Sequence, residues 1–463
     1  MTSTIMSGRS YAFSHLRTRD NALPTLDENL RKLGLSLTTA NPGDHPAILS
    51  FLQSIHYQPT AAEFLAQTDH PLYEPTDRLL IRNRTQIVGH LQIARREMHF
   101  GGLRFPTACF CDMAIARPFR GKGLGTALLA EAERQATADS AVLATLWTKR
   151  PQEYSQHQWL PCGGQTHSIA RTRDIMSSAH AAAQPQQTSI TLPTDEVASE
   201  LNIRLWRHVE EDALVRLREF RSAHSFGWTA RSADYWRWLI SRRGYDRIYV
   251  AIDGPAKLDL DESVTSIVGY AVMREGRILE LVTSPERPDA GLQLLTRACG
   301  DAMERDVDPV RFEGPADEPL HSILLSAGGS MSDDASPEDS TALVKVFDPL
   351  AFLSQLAPLI HLRAKAAGVT LPSELGLLVD GEKHQLVVSR RSARLGRGKL
   401  GRSYLTCSKV GLSQLLLGGR PLSDLVSQDW IQPSTRIAEQ LATALFPRLA
   451  FWLPPFDESP SLT

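Results

Sequence analysis

A chain of 463 residues is too long for one ordinary hydrophobic core and predicts about three domains. Hydrophobic residues at 42% and charged residues at 22% are the balance of a soluble globular protein rather than a disordered or membrane one. A formal net charge of -2 argues against a general nucleic-acid binder.

Cys109, Cys111, Cys162, Cys299 and Cys407 form no CxxC pair and stand near no histidine cluster of zinc spacing. They read as reduced thiols of a cytoplasmic protein, and no metal is expected. No apolar run approaches the roughly 18 residues that span a bilayer, and the first segment has no apolar stretch for a signal peptide. Arg9, Arg17 and Arg19 precede the first acid, Asp20, a pattern shared with transit peptides, but residues 1–32 read as a flexible, unprocessed arm.

In the first segment, residues 33–175, "DHPAILSFLQSIHY" has helical spacing with Asp44 as a candidate cap. From Asp77 to Ala116 the chain alternates and turns at Asn83-Arg84 and Gly101-Gly102, which predicts a meander of antiparallel strands. The run "RPFRGKGLGTALLAEAERQATA" then passes through a Gly-rich turn into a helix, and "AVLATLWT" is the next strand. Ser, Ala, Gln, Thr and Pro replace periodic apolar residues after Met176, so residues 176–199 read as a linker.

The middle segment, residues 200–348, repeats the order of helices, strands and a strand-to-helix turn. Its turn, Ser284 to Gly291, has two prolines and a single glycine and so lacks the free backbone donors that a phosphate needs. The strand Thr341–Val346 is assigned to its end. The third segment, residues 349–463, opens with the amphipathic stretch "DPLAFLSQLAPLIHLRAKAAG" and continues with strands and helices as an α+β module. Its start follows Val346-Phe347-Asp348-Pro349 almost without linker, which predicts packed rather than tethered domains.

The chemistry concentrates in Arg120-Gly121-Lys122-Gly123-Leu124-Gly125. Glycines there let successive N–H groups converge on an anion while a helix starting at Thr126 adds its positive end. A pyrophosphate is the natural guest. A tight turn or a Rossmann fragment would also use such glycines, but the full GxGxxG and the GKS/T ending are missing and an antiparallel meander precedes the loop.

"MAIARPFRGKGLGTALL" resembles the signature of the GNAT N-acetyltransferases, whose RxxGxG/A pattern is met by Arg120, Gly123 and Gly125. The resemblance implies acetyl-CoA as co-substrate. Its pantetheine would lie on the backbone of Met113, Ala114 and Ile115, and its pyrophosphate on the N–H groups from Arg120 to Thr126. It also implies a tyrosine that protonates the departing thiolate. Family members often place it four residues before a Gly-aromatic pair; here Tyr154 stands four before Gln158-Trp159, with the glycine missing. A phenol of pKa about 10 is a competent acid for a thiolate of similar basicity, although the position is also that of an ordinary core or surface tyrosine.

Many GNAT enzymes carry a glutamate base on the strand before the loop, where this chain offers Cys109 and Cys111. Asp112 is the carboxylate there. By alternation it faces away from both cysteines, and it reads as structural.

The whole layout is similar to the enhanced-intracellular-survival acetyltransferases, which have a GNAT domain, a degenerate GNAT-like domain and a sterol-carrier-protein-like (SCP2-like) C-terminal module. The third-segment features behind this are "LLLGGR", "ALFP" and "FWLPPFD". That resemblance implies transfer of acetyl to a primary amine of a small polyamine, an aminoglycoside-like molecule or a lysine, and assembly as a homo-oligomer. It also implies a C-terminal carboxylate at the active site. The polar ending Ser459 to Thr463 departs from the aromatic end of the family. Phe451, Trp452, Leu453 and Phe456 need burial, and the resemblance implies that the acceptor cleft of the first domain supplies it, with the residues beyond Pro455 arriving near Tyr154.

Two features invite other readings. The basic run Arg390 to Arg402 has no interleaved aromatic platform and reads as a solvated hairpin. Trp228, Tyr235, Trp236 and Trp238 could line a pocket, but their helical spacing reads as core. The rival function is a non-catalytic acyl-CoA or lipid carrier in which the first domain only senses the cofactor.

Overall fold

The computed structural model describes residues 30, 32–55, 59–161, 165–183, 201–254, 266–333 and 340–458. The expected arm, residues 1–32, lies outside the described residues except for Leu30 and Lys32, as does Cys162. The architecture is α+β, as expected, and is built on three sheets.

The alternating run after Asp77 forms the predicted meander: β1 (Leu35–Thr39), β2 (Arg78–Asn83), β3 (Gln86–Phe100) and β4 (Leu103–Ile115) pair antiparallel in sequence order. The helix Leu124–Ala138 then returns the chain to β5 (Leu143–Thr148), which pairs parallel with β4. Leu124, Leu128, Leu129, Ala132 and Ala136 of that helix recur at its own period and bury against Leu91, Ile93, Ala108 and Phe110 of the sheet.

The modules exchange strands, and this corrects the expected boundaries. β6 (Leu160–Pro161) stays with the first sheet, but β7 (His167–Ala170) joins the second, between β13 (Val310–Glu313) and β14 (Ser330–Ser332). Residues 172–183 form a helix whose Ile175 and Ala179 are buried in the middle module, so the first eight residues of the expected linker are structural and belong there. In return, β9 (Phe226–Thr229) pairs with the far end of β3, and β15 (Thr341–Val346) lies antiparallel between β5 and β6. Two-sided burial explains the placement of β15. Leu343 enters the core of the first module, whereas Ala342, Val344 and Val346 face the third, so every position is apolar except Thr341 and Lys345.

The second sheet runs β14-β7-β13-β12-β11-β10-β8, with β8 (Leu201–Leu205), β10 (Arg247–Asp253), β11 (Ile267–Arg274) and β12 (Arg277–Thr283) antiparallel. The proline-containing turn is closed by its own charges: Arg287 pairs with Asp253 at 2.5 Å and with Asp289 at 3.0 Å.

The third module has a sheet of order β18-β17-β16-β19-β20, made of β16 (Ser373–Val379), β17 (Glu382–Val388), β18 (Ala393–Arg397), β19 (Tyr404–Cys407) and β20 (Ile431–Pro433). The start of the basic run is the β17–β18 hairpin turn. As the short connection predicts, the module packs directly on the first sheet: Phe352 stacks edge-on against Phe100 and Phe105, with ring centroids 5.4 and 5.1 Å apart. Phe100 and Phe105 share one continuous core with the third module's Leu375, Leu386 and Leu415.

The last described segment threads between modules by alternation. Phe451 and Leu453 enter that shared core, and Trp452 and Phe456 enter the core of the middle module with Trp228 and Trp236. Trp452 donates its backbone N–H to Phe226 at 2.9 Å. The approach requires glycine at 227, since φ is +91° there and a Cβ would stand 2.6 Å from the carbonyl oxygen of Trp452.

Beyond Pro455, the carboxylate of Asp457 accepts from Arg231 Nε at 2.9 Å, and Arg231 also holds Glu280 of β12 through bonds of 2.9 and 2.7 Å. Burial disfavours both charges, yet Arg231 and Arg218 hold the carboxyls of Glu280 and Asp457 below the ordinary range. Their folded pKa values lie below the unfolded ones, so the stability they contribute is present above the unfolded carboxylate range, about pH 4, and is lost as pH falls through the folded values. Arg231→Met leaves two carboxylates buried without their main partner. It should cost about 3–5 kcal/mol in denaturant unfolding at pH 7, and the deficit should shrink at low pH as those carboxylates take up protons. A change below about 1 kcal/mol at pH 7 would show that the network does not anchor the tail.

Candidate functional site

The cofactor loop grows out of the end of β4. After Ile115 a single 3-10 turn, Arg117–Phe119, reverses the chain, and Gly121 and Gly123 take φ of +74° and +76°, which side chains disfavour. Gly123 caps the helix, which starts at Leu124, two residues earlier than expected. Among the described residues no protein acceptor takes the backbone N–H groups of Gly121, Lys122 or Gly123, and a Cβ on either glycine would meet nothing within 4 Å. Converging free donors at a helix N-terminus form an anion cradle. Arg120 turns its side chain back to donate to the carbonyl of Ile115 at 3.0 Å, and Lys122 lays its ammonium 5.2 Å over the ring of Phe119, outside the cleft lining.

β4 and β5 part next to this cradle. Their parallel register runs from Thr107↔Leu143 to Phe110↔Leu146 and ends there, because Trp147 and Thr148 stay with β15 while Cys111 to Ile115 follow β3. A bulge marks the fork: His90 pairs with Ala114 but Gln92 with Cys111, and Asp112 takes φ of +53°. His90 is fully buried and pins the bulge, donating Nδ1–H to the carbonyl of Asp112 at 2.8 Å while Arg78 donates to its Nε2 at 3.1 Å. Burial, with Arg78 beside it, pushes His90 down to about 3, so the ring stays neutral.

The fork opens into a cleft of about 1190 Å³. Its lining brings together Met113, Ala114, Ile115, Arg120, Gly121, Gly123, Leu124, Gly125, Thr126 and Tyr154, that is, every residue expected to hold the cofactor or protonate its thiolate except Lys122. Tyr154 sits between two 3-10 turns, Pro151–Glu153 and Ser155–His157, and its hydroxyl is 3.6 Å from Met113 Sδ. Burial and then the neighbouring Glu153 raise its pKa, which keeps the phenol protonated. The missing glycine has a structural answer. Gln158 adopts φ of +62°, the left-handed conformation that a glycine supplies without strain, and so delivers Trp159 into the core.

The other half of the cleft was not legible from local sequence. Asp112 lines it together with Cys111, since the bulge breaks the alternation that would have separated them. Cys111 Sγ lies 3.5 Å from Cys109 Sγ. Asp457 and Glu458 arrive from the end of the described chain, and Glu458 forms an ion pair with Arg96 of β3 within reach of Cys109. Tyr154 lines the same cleft as these two acids. Contrary to expectation, the large apolar groups before them are buried not in the acceptor cleft but in the shared core and the core of the middle module, because alternation sends them to opposite sides. His70, Trp238 and Arg242 close the far wall. Trp238 thus belongs to both readings of the aromatic cluster, as core and as cleft wall. A pairing between β4 and a residue more than 300 positions later leaves no local signal; the acids after the apolar run at the chain end are the only trace.

With this geometry in place the comparisons can be read. Residues 37–162 match a family model described as an acetyltransferase (GNAT) domain. The first module is a GNAT acetyltransferase domain. A search of curated proteins found no match. Among solved structures, a GCN5-related N-acetyltransferase from Anabaena variabilis is 16% identical and superposes with a TM-score of 0.67, covering 90% of this chain and 99% of its own. A GCN5-related N-acetyltransferase from Kribbella flavida is 15% identical with a TM-score of 0.66, covering 90% and 97%. Eis1 from Mycobacterium abscessus is 15% identical with a TM-score of 0.59, covering 91% and 99%. At these identities the likeness is one of fold, and it extends over all three sheets rather than the GNAT domain alone.

The cradle makes its own prediction. Gly123→Val forces a β-branched residue into a left-handed conformation and projects its side chain into the open loop. Acetyl-CoA affinity by calorimetry should fall at least about tenfold, the order of effect of 1–3 kcal/mol of strain and blocked approach. Unchanged affinity would remove the loop from the cofactor site.

Proposed function

We propose that the chain transfers the acetyl group of acetyl-CoA directly to a primary amine inside this cleft. One observation carries the reading: a single cavity holds an anion cradle, a forked strand pair, a protonated phenol and a carboxylate that faces them from another module. The loop N–H groups would hold the pyrophosphate, and the edge of Met113 to Ile115 that β5 leaves would hold the pantetheine arm, which brings the thioester to the fork. The amine nitrogen attacks the acetyl carbon, the carbon–sulfur bond breaks, and Tyr154 gives its proton to the departing thiolate. The amine must arrive neutral and must lose a further proton after attack. Glu458 is the carboxylate placed to take that proton, which supplies the base that the strand before the loop lacks.

The second and third modules then have distinct tasks. The middle module, with its exchanged strands and Trp238 and Arg242, would form the acceptor wall. The third would fix the chain end so that Glu458 reaches the cleft. The acceptors suggested by the sequence are a polyamine, an aminoglycoside-like molecule or a lysine.

Thiol release from acetyl-CoA against a panel of such amines tests the activity. Tyr154→Phe should keep acetyl-CoA affinity and lower turnover by roughly 10²- to 10⁴-fold, the usual worth of a positioned acid. Loss of binding instead would make Tyr154 structural, and wild-type turnover would remove it from the chemistry. Glu458→Gln should likewise spare acetyl-CoA binding and depress turnover most at neutral pH, with partial recovery as pH rises and solvent hydroxide can take the proton instead. A flat deficit across pH would assign Glu458 to positioning rather than proton transfer.

A further inference from the structure

Two cations of the cleft lining, Arg96 and Arg242, meet the tail segment. Arg96 is paired with Glu458, and Asp457 is held by Arg231 through Oδ1, while its Oδ2 has no partner among the described residues. Arg242 is left with two backbone carbonyls, those of Phe456 at 2.6 Å and Asp457 at 3.1 Å, both through Nη2. Among the described residues it has no carboxylate within ion-pair distance, and its Nε has no acceptor. Its guanidinium lies 4.5 Å over the ring of Trp238, and both residues line the cleft. Burial pushes Arg242 down to about 10, which leaves it cationic at neutral pH.

A second donor faces the same space. His70 is 9% exposed, lines the cleft, and packs edge-on against Trp238 with centroids 4.6 Å apart. Leu72 donates its backbone N–H to His70 Nδ1 at 3.1 Å, so the ring proton sits on Nε2, which has no partner among the described residues. Burial, followed by the charges of Arg96 and Arg242, pushes this histidine down to about 3, so it is a neutral N–H donor at every physiological pH. Two buried N–H groups without acceptors in one cleft, Arg242 Nε and His70 Nε2, cost free energy unless the oxygens of a ligand complete them.

We propose that the acceptor is a small amino acid, an amine bearing a carboxylate, held with its carboxylate against Arg242 and His70 and its amine toward Glu458. Arg242 holds the tail segment that carries Glu458, so an anion site and a proton acceptor line one cleft. The inference narrows the acceptor left open by the transferase reading and rests on that reading for the fate of the amine only.

The test compares lysine with lysinamide and with cadaverine, which keep the side-chain amine and lose the carboxylate. With the wild-type chain, kcat/KM should favour lysine over both by about 10- to 100-fold, the worth of a charge-assisted hydrogen bond. Arg242→Met should collapse the ratio toward one, and Arg242→Lys, which keeps a cation, should retain part of it. His70→Phe, which touches no part of the tail, should lower the ratio in the same direction. The same three compounds titrated by calorimetry into the CoA-saturated protein read the preference without turnover. Selective lysine binding with no thiol release would therefore contradict the transferase reading and leave the carboxylate site standing. Equal binding of lysine and lysinamide, or equal losses for both in Arg242→Met, would overturn the carboxylate site.

Discussion

The buried contact of Arg231 with Glu280 and Asp457 is the constraint on which the functional half of the molecule depends. It joins a residue just after β9 to the central strand of the middle sheet and to the end of the chain, with Glu280 fully buried and Asp457 at 1% exposure. Such a pair adds little net stability over an apolar replacement, because both ions give up their hydration. Its value is in direction. A guanidinium that must satisfy two carboxylates at fixed angles admits one placement of the tail, and that placement sets Glu458 against Arg96 and the carbonyl of Phe456 against Arg242.

Strand exchange supplies the rigidity that such a placement needs. Without β15 the edge of β5 opposite β4 would be unpaired. Here β15 pairs with that edge along its length, and the same strand forms the floor on which the third module sits. β9 extends β3 in the same way and carries Gly227, where the tail passes closest. The three modules therefore share strands and cores, and the segment up to Glu458 is fixed by contacts with all three.

How much of this was legible follows from the range of each signal. The meander, the glycine turn and the amphipathic helix Leu124–Ala138 are local patterns of alternation and period, and they read true to within two residues. Tyr154 was legible because its partners lie within five residues, although the left-handed Gln158 hid the usual glycine. The boundaries failed for the opposite reason. β7 and β15 are apolar strands that fit either sheet, and only the partner across the gap decides which. Asp112 was misplaced by a bulge, since alternation is lost wherever one strand gains residues on its neighbour. Glu458, Arg96, Arg242 and His70 come from β3, the tail and two helix ends, and no spacing in the sequence links them.

The central claim is that cofactor and acceptor occupy one cleft together and that acetyl passes between them directly. Initial rates of thiol release, measured while acetyl-CoA and a turned-over amine are varied against each other, address it most directly. Direct transfer in a shared cleft predicts double-reciprocal lines that intersect, because both substrates must be bound before the thiol leaves. Parallel lines would mean that acetyl is first parked on a side chain of the protein, such as the cleft-lining Cys111, and would contradict the account.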